Sequence, residues 1–231
     1  MFTRALTQKE QQILLKIQGF VKRCHAKSDS HDYSHVFMVT RTAIKISKNI
    51  EDPVDPFIVI AGSLLHDIGK TTSNFADFHG LFGGSIAEEF LEGIQIDPVI
   101  SDKICRVVIR HTPTSGIPPE APEEKVVYDA DTLDRLGLMG LLRGFIGKEG
   151  SMQGILEKYM KSRQLDYEKL NYEYSRELGV MGAQELEGFS HVIQKRLDDR
   201  MSSIEHIFEK EGLLEKNPVA ETDKKKREKK K

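Results

Sequence analysis

Only two cysteines stand in the 231 residues, Cys24 and Cys105. That is no disulfide framework, and each is expected as a buried free thiol. No apolar run approaches the roughly 20 residues that a membrane-spanning helix needs. The opening residues Met1-Phe2-Thr3-Arg4-Ala5 are soon followed by Lys9, Glu10 and Gln11, without the apolar stretch of a secretory signal. The expectation is a cytoplasmic protein with no membrane contact. Runs of period-2 alternation bounded by hairpin turns are missing, which argues against a sheet. No repeat recurs at a fixed period, and no glycine-rich phosphate loop is present, so nothing points to an NTP-driven motor or a kinase.

What is there is an ordinary globular composition with 39% hydrophobic and 30% charged residues, enough chain to bury one good-sized core. The net charge of −2 is unevenly spread. From Asp223 to Lys231 seven basic residues face two acidic ones, a net of +5, which leaves −7 for the rest. An acidic body is not a nucleic-acid-binding domain by composition. The basic end, residues 216–231, is expected as a solvated, disordered tail, with weak nucleic-acid contact as its one partner-binding role.

The remaining pattern is helical. Thr7 and Glu10 are spaced as a capping box, and Ile13, Leu14, Ile17, Phe20 and Val21 follow at helical spacing. A second helix is expected from Ser34 or His35 through Val36, Val39, Ala43 and Ile46. A third starts at Pro56 and runs through a continuous apolar stretch into His66-Asp67. Ser85 is expected to cap a fourth, through Ile86, Phe90 and Leu91. Asp97-Pro98 opens a fifth, which ends at Arg110-His111 before Pro113. Gly116 to Glu124 reads as a proline-rich loop, and a further helix follows the segment Asp129 to Asp134. Helical spacing resumes from Met152 to Glu211, for example at Ile155, Tyr159 and Leu165. The expected fold is therefore all-α: one helical bundle over residues 1–215, then the tail.

Histidines and aspartates fall at the boundaries of these elements. His35 is at a helix start, His66-Asp67 and His111 are at helix ends, His79 is in a loop and Asp131 is at a helix start. Side chains at element ends are the ones that meet around a common point, as in the metal sites of helical bundles. Imidazole nitrogen with carboxylate oxygen suits Mn, Fe, Zn, Ni or Mg. Four histidines and two aspartates fill one site or two adjacent ones, and spacing alone leaves that open.

His35, then Leu65-His66-Asp67-Ile68-Gly69-Lys70, then Asp129-Ala130-Asp131 with Leu133, Asp134 and Gly137, resembles the HD-domain superfamily of metal-dependent phosphohydrolases, whose ordered signature is H…HD…D. The resemblance covers roughly residues 20–145, with additional C-terminal helices over about 150–215. It implies an all-α fold with a divalent metal bound by His35, His66, Asp67 and Asp131. His79 and His111 resemble the extra histidines of the two-metal branch, as ligands of a second ion or as phosphate contacts. The loop His31 to His35 and the segment Asp129 to Asp131 look closest to small bacterial and archaeal members that act on nucleotides and related phosphate esters.

The chain also departs from its relatives. Met38 stands where many small members carry Arg, and Lys70 where one nucleotidase branch has Glu. Ile68-Gly69-Lys70 resembles a cyclic-dinucleotide phosphodiesterase branch, but that branch's Gly-Tyr-Pro segment is missing. The resemblance implies hydrolysis of a small phosphorylated substrate by metal-activated water. Asp67 would take the proton and Lys70 would pair with a phosphate oxygen. Asp129 and Asp134 are expected to orient ligands or to cap helices. Arg110 and Arg143 are expected in surface ion pairs, and Tyr128 and Phe78 in the core. The competing reading is an HD-fold regulatory or binding protein without turnover.

Overall fold

The structure, a computed structural model, describes residues 1–26, 33–71, 78–145 and 165–207, with Gly154, Arg163, Glu211 and Gly212. The expected basic tail lies outside the described residues, as do His31, Asp32, Ile155 and Tyr159. Among the described residues the regular structure is helical: α1 Gln8–His25, α2 Tyr33–Asn49, α3 Pro56–Leu65, α4 His79–Gly93, α5 Pro98–Arg110, α6 Pro122–Arg135, α7 Gly137–Phe145 and α8 Glu173–Glu205. Short 3₁₀ turns lie at Ile68–Thr71 and Pro113–Ser115. The extended backbone among them is one isolated bridge, Phe2 to Val54. No helix among the described residues is long and apolar enough to cross a membrane. The chain divides into two compact units, Met1–Gly188 and Phe189–Lys231, and everything described below concerns the first.

Helix α3 is the centre of the core. Its sequence is apolar on every side, the pattern of a helix buried all round, and α1, α2, α5 and α6 pack on it. Asp55 caps it by accepting from the Phe57 and Ile58 amides at 2.8 and 3.3 Å, with Pro56 in its first turn. The capping box of α1 forms as its letters predict: Glu10 N–H donates to the Thr7 hydroxyl and the Glu10 carboxylate accepts from Thr7 N–H. Arg4 ties these two helix starts together, reaching Glu10 at 2.6 Å and Asp55 at 2.9 Å.

Three boundaries differ from the expectation. Helix α4 starts at His79, not at Ser85, and its N-cap Phe78 makes no side-chain cap. Gly80, Gly83 and Gly84 read as loop on propensity, yet they are buried in this helix, and packing against α5 overrides their low helix preference. The loop expected from Gly116 to Glu124 gives way to α6 at Pro122. Asp131 therefore sits near the C-terminal end of α6 rather than at a helix start. Its N-cap, Ala121, has no side-chain acceptor, so the usual capping letter is missing from the sequence.

Glu124 supplies what Ala121 lacks. It is buried, and its carboxylate accepts from the Glu120 and Ala121 amides at 2.7 and 3.1 Å and from Arg106 Nε at 2.9 Å. Burial favours its neutral form, but these donors outweigh burial and hold it below the ordinary carboxylate range. A carboxyl depressed in the folded state stabilises the fold above its unfolded value, and loses that contribution as pH falls through the folded value. Glu124→Gln is expected to cost about 1.5–3 kcal/mol at pH 7, as for hydrogen bonds to a charged group. The melting temperature should drop by several degrees, and the gap from wild type should close at pH values below the carboxylate range. Equal melting curves at pH 7 would refute this account.

Two glycines serve the site. A Cβ on Gly69 would lie 2.1 Å from the His79 carbonyl oxygen, so only glycine lets the turn after His66-Asp67 touch the start of α4. Gly137, at φ +82°, turns the chain from α6 into α7.

Candidate metal centre

His66 and His111 occupy equivalent places. Each is the C-cap residue of its helix, α3 and α5. Each donates its Nδ1 proton to the carbonyl three residues back: His66 to Ser63 at 2.7 Å, His111 to Val108 at 2.6 Å. Those carbonyls are helix-end acceptors with no amide of their own helix to take. The bond fixes the tautomer, so each ring presents a bare Nε2 lone pair. His35, in the first turn of α2, is fixed from another side. Its Nδ1 lies 2.6 Å from Asp134 Oδ2 and 3.0 Å from Arg143 Nη1. The carboxylate contact is shorter and requires a proton on Nδ1, while the guanidinium is already used on the Asp134 carboxylate at 2.6 Å and its carbonyl at 2.7 Å.

The Nε2 atoms converge. His35 Nε2 lies 3.3 Å from His66 Nε2, and His79 Nε2 lies 3.2 Å from His111 Nε2. Between the two pairs stands Asp67, fully buried. Its Oδ2 is 3.3 Å from His35 Nε2 and 3.6 Å from His66 Nε2. Its Oδ1 is 3.3 Å from His111 Nε2 and 3.6 Å from His79 Nε2. Asp131 Oδ1 adds an oxygen 3.4 Å from His35 Nε2 and 3.9 Å from His66 Nε2. Two groups of potential ligands result, His35–His66–Asp131 and Asp67–His79–His111, with the donor atoms of each group within 4.8 Å of one another.

The electrostatics state what this pocket wants. Burial pushes the His66 imidazole down to about 3, against the pull of Asp67, so His66 is neutral. Burial lowers His35 too, but hydrogen bonds to Asp131, Asp134 and Asp67 outweigh it and raise the imidazole to about 10. Positive charge is thus strongly favoured at His35 Nε2. Burial opposes ionisation of Asp131 as well, yet Arg135 first and then His35 hold it well below the usual range. Asp134 is also held low, by His35 and Arg143 against burial. Acceptors crowded against acceptors in a dry site cost free energy unless a cation lies among them. The donor set, imidazole nitrogen and carboxylate oxygen, is the one that borderline and hard divalent ions take. These residues therefore fit a metal ion.

The structure gathers His35, His66, Asp67, Asp131, His79 and His111 in one place. His79 is the first residue of α4 and not a loop residue. Lys70 lies on the same cluster, its Nζ 2.9 Å from Asp67 Oδ2. Asp134 touches His35 as an orienting partner. Asp129 does not join them: its carboxylate accepts from the Asn171 and Tyr172 amides at 2.8 and 3.0 Å and from the Asn171 side chain. It caps the approach to α8, and burial raises it above the ordinary carboxylate value. Arg143, expected in a surface ion pair, pairs with the half-buried Asp134 that orients His35, while Arg110 does pair with exposed Glu120. Phe78 is 53% exposed rather than in the core, whereas Tyr128 is buried. Arg135 was not singled out in the sequence, although its place four residues after Asp131 on one helix face was the available signal.

A helical bundle that draws histidines and aspartates from several helix ends onto one buried carboxylate is an arrangement that could hold metal ions. Comparison then places the cluster in a known family segment: residues 32–136 match the HD domain, and that segment holds every residue of the cluster. Solved structures share the fold. Bacillus subtilis YpgQ in complex with ADP is 21% identical, over 79% of this chain and 97% of that one, with a TM-score of 0.60. An HD-superfamily hydrolase from Bacillus thuringiensis is 22% identical, over 82% and 98%, at 0.61. A Lactobacillus plantarum protein is 15% identical, over 84% and 100%, at 0.67. Over 113 residues, 43% of this chain, the sequence is 35% identical to a tRNA (cytidine(56)-2'-O)-methyltransferase from Picrophilus torridus. The chain matches only 30% of the length of that curated relative.

Proposed function

We propose that the protein is a divalent-metal phosphohydrolase whose substrate is a nucleotide or a related small phosphate ester. The observation that carries this reading is Asp67, whose two oxygens each face a separate pair of imidazole nitrogens. When bound, a divalent ion supplies neutralisation of phosphate charge and a water acidified to near-neutral pKa. His66 and His111 would hold it as neutral ligands, because their Nδ1 protons are committed to backbone carbonyls. His35 would be kept in register by Asp134. Lys70, already beside Asp67 and partly exposed, is suited to pair with a substrate phosphate oxygen as a compact point charge. Asp67, or a carboxylate beside it, would accept the proton of the attacking water. The ADP in the complex of the Bacillus subtilis relative supports a nucleotide.

The test is phosphate and pyrophosphate release from a panel of nucleoside mono-, di- and triphosphates and cyclic dinucleotides. Each is assayed with Mn, Fe, Ni, Mg or Zn, with and without chelator. Metal-dependent release from at least one nucleotide, lost on chelation, is expected. Binding of nucleotides without release under any metal would favour the regulatory reading instead.

A further inference from the structure

We propose that Arg135 is a positioning residue that confines Asp131 to one ligand oxygen, and that Asp166 holds Arg135 in that pose. The proposal rests on the reading of Asp131 as a metal ligand. It extends the metal centre to a residue beyond 136, outside the segment that matches the HD domain.

The two oxygens of Asp131 have different neighbours. Oδ1 faces the imidazole nitrogens of His35 and His66, at 3.4 and 3.9 Å. Oδ2 accepts from Arg135 Nη1 at 2.8 Å. The pair is four residues apart on α6, so the helix itself delivers the guanidinium to the carboxylate. The guanidinium has one further hydrogen bond and one longer charge contact. Its Nη2 donates to the Thr132 hydroxyl at 2.8 Å, and its Nε faces Asp166 Oδ2 at 3.8 Å. Asp166 is buried, and Arg163 approaches it at 2.8 Å. A line of alternating charge therefore runs from Arg163 through Asp166 and Arg135 to Asp131.

The consequence is chemical. A free carboxylate can chelate a cation through both oxygens. One that spends an oxygen on a guanidinium can offer only the other, and offers it with less charge. Arginine suits the task because its fork is planar and its charge is permanent at any working pH. A one-oxygen Asp131 leaves a coordination position open for water or a substrate oxygen, as a catalytic site requires. Without Arg135 the carboxylate is free to turn, to close that position, or to lose its aim at the two imidazoles.

The probe is Co²⁺ alone, titrated into the full chain and followed by its visible absorption and by calorimetry, with no substrate present. Arg135→Met is expected to weaken Co²⁺ binding about tenfold or more, the range for loss of an outer partner of a metal ligand. It should also change the shape and intensity of the cobalt bands, which report coordination number. Arg135→Lys, which keeps the charge but not the fork, should lie between. Asp166→Asn should shift both readings in the same direction by less. Because Arg135→Met removes one of the cations around buried Asp166, the double variant Arg135→Met/Asp166→Asn serves where the single one does not fold, and the same changes are expected in it. Folded variants with the wild-type cobalt spectrum and affinity would overturn the proposal, even if they melt at lower temperature. A wild-type protein that takes up no cobalt would overturn the reading of Asp131 as a ligand, and the proposal with it.

Discussion

Asp67→Asn is expected to remove metal retention and turnover together while leaving the protein folded. Asp67 is fully buried, with Lys70 at 2.9 Å and four imidazole nitrogens within 3.6 Å. Asparagine keeps the volume, so no cavity opens, but it replaces the anion that both histidine pairs share. A bound divalent ion is worth several kcal/mol of transition-state charge stabilisation, and each 1.36 kcal/mol is a factor of ten in rate. The loss in turnover should therefore be about 10³-fold or more. His66→Ala should match it in activity but cost more in stability. It empties a fully buried site and leaves the Ser63 carbonyl without its donor. The two variants separate function from fold. Melted in chelator, Asp67→Asn should be at least as stable as wild type, because it relieves crowding of carboxylates and lone pairs, the stability that a preorganised site gives up. The measurements are metal content after desalting, release of phosphate from the best nucleotide of the panel, and thermal melting. An Asp67→Asn protein that retains full metal and full activity would refute the assignment of Asp67.

The clustering of His66, Asp67 and His111 is legible in the sequence because it combines two strong local signals. The apolar run of α3 could end only where polar residues resume, and those residues are His66 and Asp67. Pro113 likewise marks His111 as a helix-end residue. At such ends the orphan carbonyls of Ser63 and Val108 give a histidine something to hold, which is why both rings adopt the same pose. The orienting contacts were less legible. Arg143 comes to Asp134 and His35 from α7, beyond the left-handed turn at Gly137, and no periodicity announces that turn. Asp129 lies two residues before Asp131 on the same helix, hence on a different face, and that offset sends it to Asn171 and Tyr172 instead of the cluster. The sequence around His79 reads as loop because Gly80, Gly83 and Gly84 argue locally against a helix. Their role emerges only when α5 is packed against them.

The wild-type chain is expected to take up two ions when reconstituted with excess Mn or Fe, and one when His79 and His111 are both replaced by alanine. The ground is the orientation of Asp67. A carboxylate serving one ion has no need to aim its second oxygen at another pair of imidazoles, yet Oδ1 lies 3.3 Å from His111 Nε2 and 3.6 Å from His79 Nε2. The two groups of potential ligands are separate sets that meet at this residue. Paired ions in hydrolytic sites stand about 3.5–4 Å apart, so that attacking and leaving oxygens are both stabilised, and a bridging carboxylate meets that spacing. With its Nδ1 proton on Val108, His111 has no proton on Nε2 to give to Asp67 unless it is charged. The double variant should keep the ion held by His35, His66, Asp67 and Asp131, at half the total metal, and should lose most of its turnover. Single-ion stoichiometry in the wild type, unchanged in the double variant, would leave His79 and His111 as donors to substrate phosphate around one metal.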